Sequence, residues 1–141
     1  MKHVIDCSTA FKGVVAETDT PKAVRLRDDF RNAALDLLAP DLFPTEIANA
    51  LLVAERRGRI GSGEGVVFFA DLLKTLPILH EAIPLLPRAY EIAYQYRASV
   101  YDCLYVALAE REHCEFVSAD DKLVKKLQPS FPFMISLSSM P

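Results

Sequence analysis

Lys2-His3-Val4-Ile5-Asp6-Cys7-Ser8-Thr9 opens the chain and decides how the rest is read. Val4 and Ile5 are β-branched and suit a pleated, buried strand. The run ends in an acid, and Ser8 is a good N-cap for a helix over residues 9–16. Asp6 then falls at the carboxyl end of a first strand, the edge where open α/β sheets gather their ligands. A carboxylate at that edge needs water, a cation or a hydrogen-bonding partner, because burying it unpaired is too costly.

The same pattern returns far along the chain. Glu115-Phe-Val-Ser-Ala-Asp120 is again a short apolar strand ending in an acid, with a short helix expected over 121–127. Between the two lie further alternations. Pro21 opens a helix over 22–36, and Leu37 to Pro40 is a buried strand. Thr45 to Arg57 is the strongest helix, with Ile47, Ala50, Leu51 and Ala54 on one stripe and Gly58 to stop it. Glu64 to Lys74 is helical, Ile78 to Ile83 a strand, and Leu85 to Arg97 and Ser99 to His113 are helices, the last with Leu104, Ala107 and Leu108 inward. Phe131 to Leu137 completes an edge strand. Strands alternating with helices predict an α/β fold, with a parallel sheet covered on both faces. The glycines of Gly58-Arg-Ile-Gly-Ser-Gly63 follow no strand and carry no Gly-Lys-Ser/Thr, so they make no phosphate loop.

Length and composition narrow the classes. A chain of 141 residues with no linker, repeat or low-complexity tail suits one domain over 1–141. With 51% hydrophobic and 25% charged residues it has enough apolar material for a core and is not disordered. A formal net charge of −3 excludes a general nucleic-acid coat protein but leaves room for one local site. No apolar run is long enough to cross a bilayer. One Lys followed by an acid at position 6 makes no secretory h-region. The expectation is a cytoplasmic protein with no membrane partner. Cys7, Cys103 and Cys114 form no C-x-x-C pair, so neither a disulfide framework nor a zinc site is expected. His3, His80 and His113 share no useful spacing, and Ser8 lacks a G-x-S-x-G elbow.

Asp6 and Asp120 after strands, and Glu46 and Asp102 at helix starts, all fall at one edge of a parallel sheet if the strands align. Carboxylates gathered there raise one another's pKa unless a cation neutralises them. Oxygen-only ligands select Mg2+ or Mn2+, and such a cluster suits metal-assisted phosphodiester hydrolysis. Simpler roles stay open for each acid: Glu46 and Asp102 also complement helix dipoles, and Asp120 or Asp121 also serves as an N-cap. Lys12 and Lys122 follow these acids closely and, with Arg56, Arg57 and Arg59, would ring the mouth and meet phosphates. A solvated helix face is the plainer role for each of these cations. Tyr94, Tyr96, Tyr101 and Tyr105 sit at helical spacing and suit core or dimer packing. Phe68, Phe69, Leu72 and Leu73 suit the core or a partner groove.

Four segments resemble one family. Val4-Ile-Asp6-Cys-Ser8 is similar to the opening of PIN domains, and Pro44-Thr-Glu46-Ile-Ala-Asn49-Ala-Leu51 to their second acidic motif. Val100-Tyr-Asp102-Cys-Leu-Tyr-Val-Ala-Leu108-Ala resembles the third, and Phe116-Val-Ser118-Ala-Asp120-Asp-Lys-Leu123 the fourth. The segments stand in the family's order and span nearly the whole chain, most like compact PIN proteins of the VapC toxin type. The resemblance implies a three-layer PIN-like fold and a Mg2+- or Mn2+-dependent endoribonuclease. It implies a VapB-like antitoxin partner and a homodimer. Asp6, Glu46, Asp102 and Asp120 would bind metal and position water. Ser8 and Ser118 would support them, Asn49 would support the site or meet substrate, and Asp121 stands beside Asp120 as the other member of the doublet. Cys7 and Cys103 occupy places where small or hydroxyl residues are more usual. An acidic protein with a local basic rim suggests a narrow RNA substrate, such as a tRNA or rRNA loop. The alternative is a PIN-like protein- or RNA-binding module without catalysis, which the presence of all four acids argues against. A phospho-receiver or haloacid-type phosphohydrolase lacks its second acid here.

Overall fold

The computed structural model describes residues Met1–Pro141. Its strands are β1 (Lys2–Ile5), β2 (Asp36–Pro40), β3 (Ile78–His80), β4 (Glu115–Ser118) and β5 (Met134–Ser136). Its helices are α1 (Cys7–Lys12), α2 (Thr20–Arg31), α3 (Phe43–Arg56), α4 (Glu64–Leu73), α5 (Leu86–Tyr96), α6 (Val100–Glu112) and α7 (Asp121–Leu127). The sheet order is β3-β2-β1-β4-β5, and every neighbouring pair is parallel. From β1 the chain steps outward to β2 and β3. It then crosses to β4 on the other flank of β1 and ends on β5. The reversal lies between β1 and β4, so the segments leaving these two strands diverge and open a crevice at their carboxyl ends.

Both faces of the sheet are covered, as the alternation of elements requires. Val4 pairs with Leu38 and Phe116 in register, and these side chains share one core with α5, α6 and α7. Ile5, Leu37 and Val117 point the opposite way, onto Ala23 and Leu26 of α2. This is the period-two pattern of strands buried on both faces. A third cluster joins Phe11 of α1 to Ile47, Leu51 and Ala54 of α3 and Leu72 of α4. The α3–α4 hairpin is thereby locked to the segment that leaves β1. Helix α6 is buried from Cys103 through Ala109, not only at Leu104, Ala107 and Leu108. A helix apolar on every side belongs in the interior, and Tyr105 there stacks on Phe116 of β4 with ring centroids 5.9 Å apart.

Several boundaries differ from the expectation, each for a local reason. Helix α1 ends at Lys12 rather than near residue 16, and its N-cap is Asp6, not Ser8. The Asp6 carboxylate accepts the Thr9 N–H at 3.1 Å, while the Ser8 hydroxyl turns back to donate to Asp6. Helix α2 stops at Arg31 because Ala33 takes a left-handed conformation at φ 56° and Asp36 is drawn into β2 opposite Lys2. Strand β3 ends at His80. The Ala82 N–H donates to Asp41 Oδ1, and Pro84 lies in a 3-10 turn, Ile83–Leu85. Only Met134–Ser136 of the expected last strand pairs with β4. Gly58 follows α3 at φ 72°, as a C′ glycine should.

Candidate active site

The crevice between β1 and β4 is sewn shut at its base by hydroxyls. Ser8 Oγ donates to Asp6 Oδ1 at 2.6 Å, and Ser118 Oγ donates to Asp6 Oδ2 at 2.5 Å. The same hydroxyl oxygens accept backbone N–H groups from the fourth strand's exit, Ala119 onto Ser8 and Asp120 onto Ser118, each at 3.1 Å. Thr9 Oγ1 adds a bond to the Val117 carbonyl at 3.1 Å. Residues more than a hundred positions apart are thus held as one unit, and Asp6 is fixed in a single orientation while buried to 7% exposure.

Glu46 enters from the first turn of α3 and Asp102 from the first turn of α6, whose N-cap Ser99 accepts the Asp102 N–H at 3.1 Å. Helix α3 starts at the sheet's carboxyl edge because it follows β2, and α6 starts there because it runs back from that edge to feed the opposite end of β4. Tyr105, one turn along α6 from Asp102, donates its hydroxyl to Glu46 Oε1 at 2.6 Å. Asp120 caps α7 by accepting the Leu123 N–H at 3.1 Å. Asp121 turns elsewhere: it accepts the Ser136 hydroxyl beside β5. The two acids of the doublet part company, with Asp120 on the side of Asp102 and Asp121 on the side of β5.

The electrostatics tie these acids together. Burial raises the Asp6 carboxyl above its usual range; bonds from Ser118, Ser8 and Thr9 oppose the rise, and Asp102 adds to it. Glu46 is raised by burial and by Asp102 and Asp6, against its bond from Tyr105. Asp102 is raised by burial and by Asp120, against Ser99. Each of these three acids therefore feels another, and no lysine or arginine offsets any of them. The Cys7 thiol, beside Asp6 and Glu46, is pushed up to about 12 by burial and by those charges, and Cys103 to about 11. Both stay thiols, and the site's donors are oxygens. No three His, Cys, Asp or Glu side chains approach closely enough to share one ion as they stand. The serines occupy Asp6 and Tyr105 occupies one oxygen of Glu46, leaving Glu46 Oε2 and Asp120 Oδ2 without a hydrogen bond.

Beside the acids runs a groove of about 460 Å3, which Ser8 and Asn49 share with Lys12, Arg57 and Arg59. Arg56 and Lys122 do not line it. Arg57, one residue past the end of α3, and Arg59, past the Gly58 turn, are the arginines that reach it, beside Lys12. Tyr105 and its bond to Glu46 were not foreseen as part of the site, since nothing local links two residues so far apart. Of the other aromatics, Tyr94 and Tyr101 are exposed, Tyr96 packs edge-on to Phe131, and Phe68 and Phe69 lie partly buried on the α1–α3–α4 cluster.

A parallel sheet with acids gathered at its switch point defines a class, and comparison with known proteins names it. The chain belongs to the PIN domain family, whose model matches residues 4–127. Among its relatives, Ribonuclease VapC3 of Pyrobaculum aerophilum is 30% identical over 138 residues, covering 96% of this chain and 99% of that protein. Ribonuclease VapC9 of Mycobacterium tuberculosis is 28% identical over 132 residues, covering 94% and 96%. Among solved structures, PAE2754 from Pyrobaculum aerophilum superposes with a TM-score of 0.70 at 21% identity, covering 99% of this chain and 94% of that one. Mycobacterium tuberculosis VapC20, a sarcin–ricin loop cleaving toxin, gives 0.57 at 18% identity, covering 83% and 87%. The last two likenesses concern the fold.

Proposed function

We propose that residues 1–141 act as one PIN-like domain that hydrolyses RNA phosphodiester bonds with a divalent cation, as the toxin of a VapBC-type pair in the cytoplasm. The observation that carries this reading is the group formed by buried Asp6 with half-buried Glu46 and Asp102, each raised by a neighbour and none offset by a lysine or arginine. Such a group calls for a cation. Oxygen donors without a thiolate or imidazole among them fit Mg2+ or Mn2+. The relatives named as VapC ribonucleases support the same chemistry.

On this reading Asp6, Glu46, Asp102 and Asp120 hold the ion. When bound, it supplies Lewis acidity toward the phosphodiester and makes the attacking water easier to deprotonate. The chain's own residues do the rest. Ser8 and Ser118 fix both oxygens of Asp6, so that it needs no reorganisation. Tyr105 takes Glu46 Oε1 and leaves Oε2 to orient water. Asn49, on the groove wall, meets the strand being cut. A VapB-like antitoxin that covers the groove, and a second copy of the chain, complete the assembly proposed.

The test is Mn2+ binding, read by loss of the free-ion electron paramagnetic resonance signal, in wild type and in Asp102→Asn. Saturable binding that weakens at least tenfold in the variant is expected. Equal binding by both would remove Asp102, and with it the four-acid arrangement, from the site.

A further inference from the structure

The groove beside the acids holds a device that the proposed chemistry leaves unused. Glu17, in the loop after α1, places one carboxylate oxygen on Lys12 Nζ at 3.2 Å and the other on Arg59 Nη2. Lys12 and Glu17 side chains are only 21% and 23% exposed, so this contact is partly shielded from solvent. The Glu17 backbone is anchored separately, its N–H donating to Thr20 Oγ1 at 2.8 Å. Arg59 has a second support, its guanidinium lying over the Phe11 ring at 5.2 Å. If the Glu17 side chain swings away, both cations keep their places: Lys12 on the last turn of α1 and Arg59 on the ring.

An anion gripped by two cations, in a groove whose wall includes Ser8, the hydrogen-bond partner of Asp6, occupies a place fit for a phosphate. With Lys12, Arg57 and Arg59 lining the groove, Glu17 is its one anion. Guanidinium and ammonium groups grip phosphate oxygens as they grip a carboxylate. We propose that Glu17 is a built-in occupant of a phosphate position, closing on Lys12 and Arg59 until a backbone phosphate of the RNA strand displaces it. This rests on the RNA-cleaving reading above. It makes Glu17 a positioning residue that sets the strength and salt dependence of strand binding. Removing its charge leaves one more groove cation free to release counterions from the RNA, and the sign of that change is fixed by electrostatics.

The experiment is equilibrium binding of a fluorescently labelled RNA hairpin with a single-stranded loop, in chelator, across a salt series. It compares wild type, Glu17→Gln, Glu17→Asp, Lys12→Ala and Arg59→Ala. Glu17→Gln should bind several-fold more tightly at low salt, with a log–log salt slope steeper by about 0.7. Glu17→Asp keeps the charge and should keep the wild-type slope. Lys12→Ala and Arg59→Ala should each bind more weakly, with slopes shallower by about 0.7 to 1. A Glu17→Gln slope equal to or shallower than wild type, weaker binding by that variant, or no binding by any of the proteins overturns the proposal. Cleavage of the same hairpin by wild type after Mg2+ is added is read separately. Cleavage without the slope pattern removes the role of Glu17 and spares the nuclease reading; the slope pattern without cleavage does the reverse.

Discussion

Asp6 is the residue on which most of the site converges, and its surroundings say what each change should do. Its carboxyl is raised by burial, and its oxygens already accept three hydrogen bonds. Asparagine keeps the shape and most of those bonds but not the charge. Asp6→Asn is therefore expected to fold, with a midpoint in chelator at neutral pH no lower than wild type. Ser118 is different. Its buried hydroxyl donates to Asp6 and accepts from the Asp120 N–H, so Ser118→Ala leaves two groups short of a partner. A loss of about 1–3 kcal/mol is expected in denaturant unfolding. Tyr105→Phe removes only the bond to Glu46 Oε1. It should cost about 1 kcal/mol and lower kcat more than KM, because Glu46 loses its fixed orientation and not its charge. Equal changes in both constants would argue against that role.

At the scale of elements, α6 does two jobs: it fills the core and delivers Asp102 from its first turn. Leu108, fully buried on it, should cost about 2–5 kcal/mol as Leu108→Ala. Ser99→Ala removes the N-cap and should cost about 0.5–2 kcal/mol. It should also reduce cleavage beyond what Leu108→Ala does, because the frayed turn is the one that carries Asp102. Calorimetry and cleavage rates on the two variants separate these effects. The strand-then-acid pattern at Asp6 and Asp120, and the stripe before Gly58, were legible because they rest on local periodicity and local caps. The cap of α1 was not. Asp6 and Ser8 both suit that cap, and only the approach of Ala119 from β4 draws Ser8 away. The end of α2 was hidden for a similar reason: a left-handed alanine at position 33 leaves no signature in the sequence.

For the whole molecule, convergence was foreseeable and contact was not. A parallel sheet brings strand ends to one edge, which is why acids spread along the chain were legible as a group. The bond from Tyr105 to Glu46 depends on how α3 and α6 turn against one another, and which of Arg56, Arg57 and Arg59 reach the groove depends on how α3 ends; no spacing encodes either. Gathering the acids also shapes stability. Asp6, Glu46 and Asp102 are raised in the folded state, so above the ordinary carboxylate range the folded chain holds more protons than the unfolded one. Their contribution is fully present below the unfolded values and is lost as pH rises through the folded ones. In chelator, the melting temperature attributable to these acids should fall as pH rises above the ordinary carboxylate range. The fall should be smaller in Asp6→Asn. Mg2+ should raise the wild-type midpoint more at the higher pH, since it binds the ionised folded state.

The central claim is that these acids make a metal-dependent ribonuclease, and the most direct measurement is cleavage of purified total RNA. Wild type and Asp6→Asn are compared at equal purity with Mg2+, with Mn2+ and with chelator. Discrete fragments that need the cation and vanish in Asp6→Asn are expected, and mapping their ends then identifies the strand that is cut. Cleavage that persists in chelator or in the folded Asp6→Asn variant, or no cleavage by folded wild type free of any partner, would contradict the claim.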